Sequence, residues 1–327
     1  MKLRNIFPSA LGALAIATLI CVQAMPAAAA EGRFDRTLQV TGPVHLDLTT
    51  GSGDVQVRTG SSSQVQVTGR IRSSEWFAGN VEEKIQRLES NPPIQQSGND
   101  IRIGHIDDPE LRHNISISYV VIVPAETELR AESGSGNQSV DGIRGPLEVN
   151  AGSGDLKISA IGGRVHAETG SGDVELNRVQ GNVRARTGSG SIRAYEIGGG
   201  FEADSGSGHI MLRQTAPGSV RVDTGSGGME LQGVRGSLEA KAGSGTIRAE
   251  GSPTGMWSVH TGSGTVQLKL PSDASFDLDA HTSSGSISVE QPHTVQGSIG
   301  RKEIRGRVGS GGVPVEVETG SGDIQIE

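Results

Sequence analysis

Apolar and polar residues alternate along most of this chain, and the alternation is broken at near-constant intervals by Gly-Ser-Gly. One unit reads Val165-His166-Ala167-Glu168-Thr169, Gly170-Ser171-Gly172-Asp173, Val174-Glu175-Leu176, then a second turn around Val179 and Gly181. A period of two marks a strand with one buried face. Each unit therefore predicts two short strands and a tight glycine turn. Its second turn adds one more apolar residue, as at Ile143, Ile161, Val179, Ile197 and Val234.

Gly-Ser-Gly begins at Gly51, Gly134, Gly152, Gly170, Gly188, Gly206, Gly225, Gly243, Gly262, Gly309 and Gly320, with a degenerate copy at Ser283-Ser284-Gly285. From Gly134 to Gly262 the spacing is 18 or 19 residues. A unit this small cannot bury its own apolar face, so units must stack. The outward side chains decide between stacked hairpins and a solenoid whose coils pair in register. Equivalent positions on paired coils lie about 4.8 Å apart, where opposite charges help and like charges hurt. One column runs Arg184, Glu202, Arg221, Glu239; another runs Lys157, Glu175, Arg193, Met211, Glu230, Arg248; a third runs Glu168, Arg186, Asp204. This alternation of sign predicts an all-β, in-register β-solenoid, with Asp204 before Asp223 as an exception. The glycines are expected to supply positive φ. The serines, and the Thr or Ser before most turns, are expected to form polar ladders along the turn edge.

The flanks differ. Residues 34–71 hold one more copy of the pattern, and 75–89 carry Val81, Ile85 and Leu88 at helical spacing. That predicts one short amphipathic helix. Strands resume at Ile101–Ile103 and Ile115–Val123. The expected organisation is a signal peptide at 1–30, an N-terminal β section with the helix at 31–125 that caps the array, and the array itself at 126–327. A basic insertion at 291–313 interrupts the array.

The strand Ile115-Ser116-Ile117-Ser118-Tyr119-Val120-Val121-Ile122-Val123-Pro124 leads into repeated Thr-Gly-Ser-Gly-Asp-Val-x-Leu units. The chain closes on Val315-Glu316-Val317-Glu318-Thr319-Gly320-Ser321-Gly322-Asp323-Ile324. These residues resemble a bacterial β-strand-repeat family of unknown function whose members are named putative adhesins. The resemblance implies an exported β-solenoid of the bacterial envelope. It carries over no functional residue.

Composition and charge narrow the classes. Lys2 and Arg4, an apolar run from Leu11 to Val22 and the small residues Ala27–Ala30 form the signal-peptide pattern. Removing 1–30 leaves 27 basic and 37 acidic side chains, a net charge of −10. That gives no basic surface for nucleic acid. The only cysteine, Cys21, lies in the removed segment, so no disulfide or thiol chemistry is expected. No later run is long enough for a spanning helix, and no cofactor is implied.

Candidate sites are few. Asp54, Asp155, Asp173 and Asp323 follow Gly-Ser-Gly, and Asp155 with Asp173 on neighbouring coils is a weak calcium candidate against a plain turn role. His260 and His281 are expected on successive coils beside Asp279, which are metal-ligand types, against a solvated polar face. His293, Arg301, Lys302, Arg305 and Arg307 form a basic loop that could meet an anionic envelope glycan or a surface protein. The expected function is a non-catalytic scaffold or adhesin-like protein of the periplasm, cell surface or exterior. Two alternatives stand beside it: a polysaccharide-active β-helix enzyme with a cleft at Asp277, Asp279, His281 and the basic loop, and an ice-binding face on the threonine column. The final strand, Ile324–Glu327, is a candidate open edge for end-to-end self-association.

Overall fold

The computed structural model describes residues 31–73, 81–112, 114–290, 293–294 and 300–327. The signal-peptide assignment, His293's side chain and most of 291–299 lie outside the described residues. Among the described residues no helix is long and apolar enough to cross a membrane.

The array is a β-solenoid. Val165–Thr169 pairs in parallel with Leu147–Ser153 on one side and Val183–Thr187 on the other, Val165 standing between Leu147 and Val183. After the glycine turn, Val174–Val179 sits likewise between Leu156–Ile161 and Ile192–Ile197. Each coil thus has a first and a second arm, and every residue meets its equivalent one coil away. The apolar half of each arm forms the core: Val165, Ala167, Val174 and Leu176 are at most 2% exposed. Charge columns close where expected, at Arg184–Glu202 (3.2 Å), Arg186–Asp204 (3.0 Å) and Arg221–Glu239 (2.6 Å). Exposed pairs of this kind contribute little to stability; their value is in selecting the register.

The last glycine of the turn takes positive φ, as expected, at Gly53, Gly136, Gly245, Gly264, Gly285 and Gly322 (148–159°). Close approach adds a second need for glycine: a Cβ on Gly172 would lie 1.9 Å from the Gly154 carbonyl oxygen of the preceding coil. One feature of the turn differs from expectation. The threonines face inward. Thr187 is 5% exposed; its hydroxyl donates to the Gly172 carbonyl (2.8 Å) and accepts from the Gly190 N–H (3.0 Å). Thr169, Ser205, Thr224, Thr261, Thr282 and Thr319 repeat the first of these bonds. A column of interior hydroxyls therefore staples coil to coil, which removes the ice-binding face.

At the second turn the chain bends through left-handed backbone. Ala160, Arg178 and Glu196, each 18 residues apart, have φ of 55°, 54° and 56°. The bend swings Ile161, Val179 and Ile197 into the core. Where the coil is one residue longer, Gln214 takes that place and its amide donates to the Gly199 carbonyl at 2.9 Å.

Both ends depart from sequence order. The coil at 44–59 is flanked on one side by Thr127–Ser135 and Gln138–Asp141 and on the other by Asp100–Ile103 and Ile115–Val123. Gln64–Ser73 and Glu31–Gln39 then extend the second arm antiparallel. Helix Val81–Ser90 packs on Glu31–Gln39 with Val81, Ile85 and Leu88 buried. The helix expected at 75–89 is thus observed from Val81. A second, one-turn helix, Pro109–Arg112, was not expected; Asp108 accepts the Glu110 N–H at its start.

At the other end the last coil, Val313–Ser321 with Ile324–Ile326, is inserted between the coils at 257–269 and 276–289. The expectation of an open C-terminal edge is corrected: Ile324–Ile326 is paired on both sides. The basic insertion is also part of the cap, since Glu303–Val308 runs antiparallel along Phe276–Ser284.

Candidate functional site: a groove along the first arms

The outer face of the first arms carries a groove of about 1000 Å³. It crosses eight coils, from Glu128 to Ser258, or roughly 34 Å at 4.8 Å per coil. Its origin is the residue just before each first arm. In the middle of the array this position shrinks to Asn182, Gly200, Ser219 and Ser237, between Arg164 and Met256 at the ends. Small side chains there uncover the edges of Phe201, Val220 and Leu238, which line the floor although almost wholly buried. Met256, 44% exposed, adds an apolar side chain at that end of the groove.

The wall is the next outward column, in register across Arg130, Glu148, His166, Arg184, Glu202, Arg221, Glu239 and Ser258. Its charges are closed in pairs: Arg184 with Glu202, and Arg221 and Lys241 with Glu239, both at 2.6 Å. The hydrogen bond from Lys241, with Arg221 and His260 nearby, holds the Glu239 carboxyl below its ordinary value. A carboxylate held ionised by cations is a poor proton donor. The groove is therefore lined by apolar edges and mutually neutralised charges, an arrangement that suits binding more than acid–base chemistry. The sequence signal for it was the run of small residues ahead of the arms, which reads as ordinary turn composition until the coils are stacked.

The residues singled out from sequence have other placements. Asp155 Oδ1 accepts the Asp173 N–H and Asp173 Oδ1 accepts the Ser191 N–H, at 2.9 and 2.8 Å. Asp54, Asn137, His209 and Asp323 likewise accept the N–H of the neighbouring coil. At these coils the position supplies one acceptor, a role that Asp, Asn and His all fill. Asp173 also pairs with Arg193 at 2.8 Å; that guanidinium, and the Ser191 N–H after it, hold the Asp173 carboxyl below its usual range.

His260 and His281 are not on successive coils. Glu318 of the inserted last coil lies between them, in register with both. Asp279 is engaged by Arg305 at 3.1 Å, Arg307 lies 3.7 Å from Asp277, and Lys302 donates to the Ser283 carbonyl. Arg301 is exposed beside them. The basic segment and the acids expected to face it across a cleft thus lie flat on adjoining strands.

The chain covers 90% of its length against a crystal structure named a putative lipid binding protein from Parabacteroides distasonis, at 11% identity, TM-score 0.44 and 97% coverage of that chain. It covers the same share against a putative adhesin from Bacteroides fragilis, at 13% identity, TM-score 0.33 and 97% coverage. Among curated proteins there is no match. The model of the Toastrack DUF4097 family matches residues 116–196 and 147–327, and with its in-register coils the chain belongs to that family.

Proposed function

We propose that this chain is an exported, non-catalytic binding scaffold of the bacterial envelope, adhesin-like in role, and that the groove along the first arms is its binding surface. The observation that carries this reading is a continuous groove across eight coils whose wall charges are already paired. Such a surface takes an extended partner without a net charge of its own, and an envelope glycan chain fits that description. The signal-peptide pattern at 1–30 supports export, and the paired carboxylates support a role without catalysis.

The test uses the protein from Glu31 to Glu327 on a glycan array and in pull-downs from isolated envelopes. Ser219→Trp combined with Ser237→Trp fills the groove and should reduce retention at least about tenfold, since occlusion removes most of the contact area. Replacing Arg301, Lys302, Arg305 and Arg307 by Ser should leave retention intact. The opposite pattern would move binding to the C-terminal cap and sink the groove assignment.

A further inference from the structure

Insertion of the last coil changes what the two histidines face. His260, Glu318 and His281 occupy register-matched outward positions on three adjoining parallel strands. At about 4.8 Å per strand, the carboxylate stands midway between imidazoles whose Cα atoms are about 9.6 Å apart. The backbone fixes nitrogen, oxygen and nitrogen donors in a row; Glu318 and His281 are exposed and His260 is half-buried.

One half of the set is already formed. His260 Nδ1 lies 3.3 Å from Glu318 Oε2, and its Nε2 lies 2.9 Å from the Ser258 hydroxyl. With Nε2 taken up by Ser258, Nδ1 faces the carboxylate, and the two are bridged either by an Nδ1 proton or by a metal ion that replaces it. A tetrahedral ion with bonds of about 2.0–2.1 Å places its ligand atoms roughly 3.3 Å apart. The Ser258 hydroxyl is the outer partner that orients a ligating imidazole. Among the described residues no three ligand-type side chains yet converge on one point; turning His281 toward Glu318 supplies the third.

The surroundings favour a cation. Glu316 precedes Glu318 by two residues on the same outward face. The nearby positive charges are occupied: Lys241, in register beside His260, is held by Glu239 at 2.6 Å, and Arg305 by Asp279 and Glu303 at 3.1 and 3.3 Å. Two imidazoles with one carboxylate suit zinc-class transition metals, whereas calcium and magnesium take oxygen sets.

We propose that His260, Glu318 and His281 form a binding site for one divalent transition-metal ion of the zinc class, which clips the last coil to both neighbours. Untagged protein from Glu31 to Glu327, stripped with chelator, is titrated with zinc chloride by calorimetry at neutral pH. One ion per chain is expected, with the affinity falling at least about tenfold in His281→Ala and in the near-isosteric Glu318→Gln, as removal of a ligand demands. His105→Ala, an exposed histidine outside the groove, should bind as the parent does. The double variant His260→Ala/His281→Ala keeps Glu318 alone of the three ligands and should bind more weakly than either single variant. Circular dichroism of the metal-free variants verifies the fold. No saturable binding by the parent protein, binding indifferent to His281→Ala, or more than one ion per chain with each single variant losing only part of that stoichiometry would overturn the proposal.

Discussion

Most coils carry a threonine or serine at an inward position before the glycine turn, and at Thr187 its hydroxyl serves backbone groups of two coils. Val165, Ala167 and Thr169 share one parity, so the alternation that predicts the strand also sends Thr169 inward; chemical type alone placed it on the turn edge. Inside, the hydroxyl has work that valine cannot do. Thr187→Val is nearly isosteric yet strands the Gly172 carbonyl and the Gly190 N–H, both of which it now serves. Buried backbone groups left unpaired cost about 1–3 kcal/mol each. Urea unfolding should therefore show a loss of about 2 kcal/mol for Thr187→Val and much less for Thr187→Ser. An unchanged midpoint for the valine variant would deny the staple; Ala151 and Ala242, where the column lacks a hydroxyl, show that single gaps are tolerated. Asp155 and Asp173 teach a related lesson. The sequence shows carboxylates at coil spacing, but only the stacked coils bring each one to the next coil's N–H.

At the scale of elements, strands and register were legible because a parallel in-register stack obeys one rule at every coil. The caps were legible only as interruptions. Helical spacing announced the helix, not its partner. It covers the strand Glu31–Gln39, where Arg33 N–H donates to Glu89 (2.8 Å) and the Arg36 guanidinium bonds the carbonyls of Glu89 and Ser90 at the helix end. Ile85 is buried against that strand, beside Gly32. Ile85→Ala should cost about 2–4 kcal/mol at this site. Because solenoid units depend chiefly on their neighbours, the loss should stay local. Hydrogen exchange would then quicken over 31–39 and remain unchanged over 165–197. Uniform acceleration along the chain would show that the cap and array unfold as one body.

For the whole molecule, the sequence specifies how coils pair but not which coil comes next. The unit around Thr319 satisfies the same register against either the coil at 257–269 or that at 276–289, so pattern alone follows chain order. The structure instead places it between them, and three consequences follow: the C-terminal strand is shielded, the basic segment becomes a cap, and Glu318 separates the two histidines. The groove has the same origin, since it exists only once eight coils are stacked. Every site argued above therefore rests on the order of coils.

Cysteine pairs read that order directly. Gln325 is in register with Gln267 on one side and Ser288 on the other, and Gln267 and Ser288 are two strands apart. A disulfide needs Cα atoms within about 7 Å, which one strand spacing of about 4.8 Å meets and two do not. A protein beginning at Glu31 lacks Cys21, so each engineered pair is the only one present. On mild oxidation Gln267→Cys/Gln325→Cys and Ser288→Cys/Gln325→Cys should each cross-link, and Gln267→Cys/Ser288→Cys should remain reduced. Cross-linking of the third pair together with failure of the first would mean that coils follow chain order, and would contradict the account.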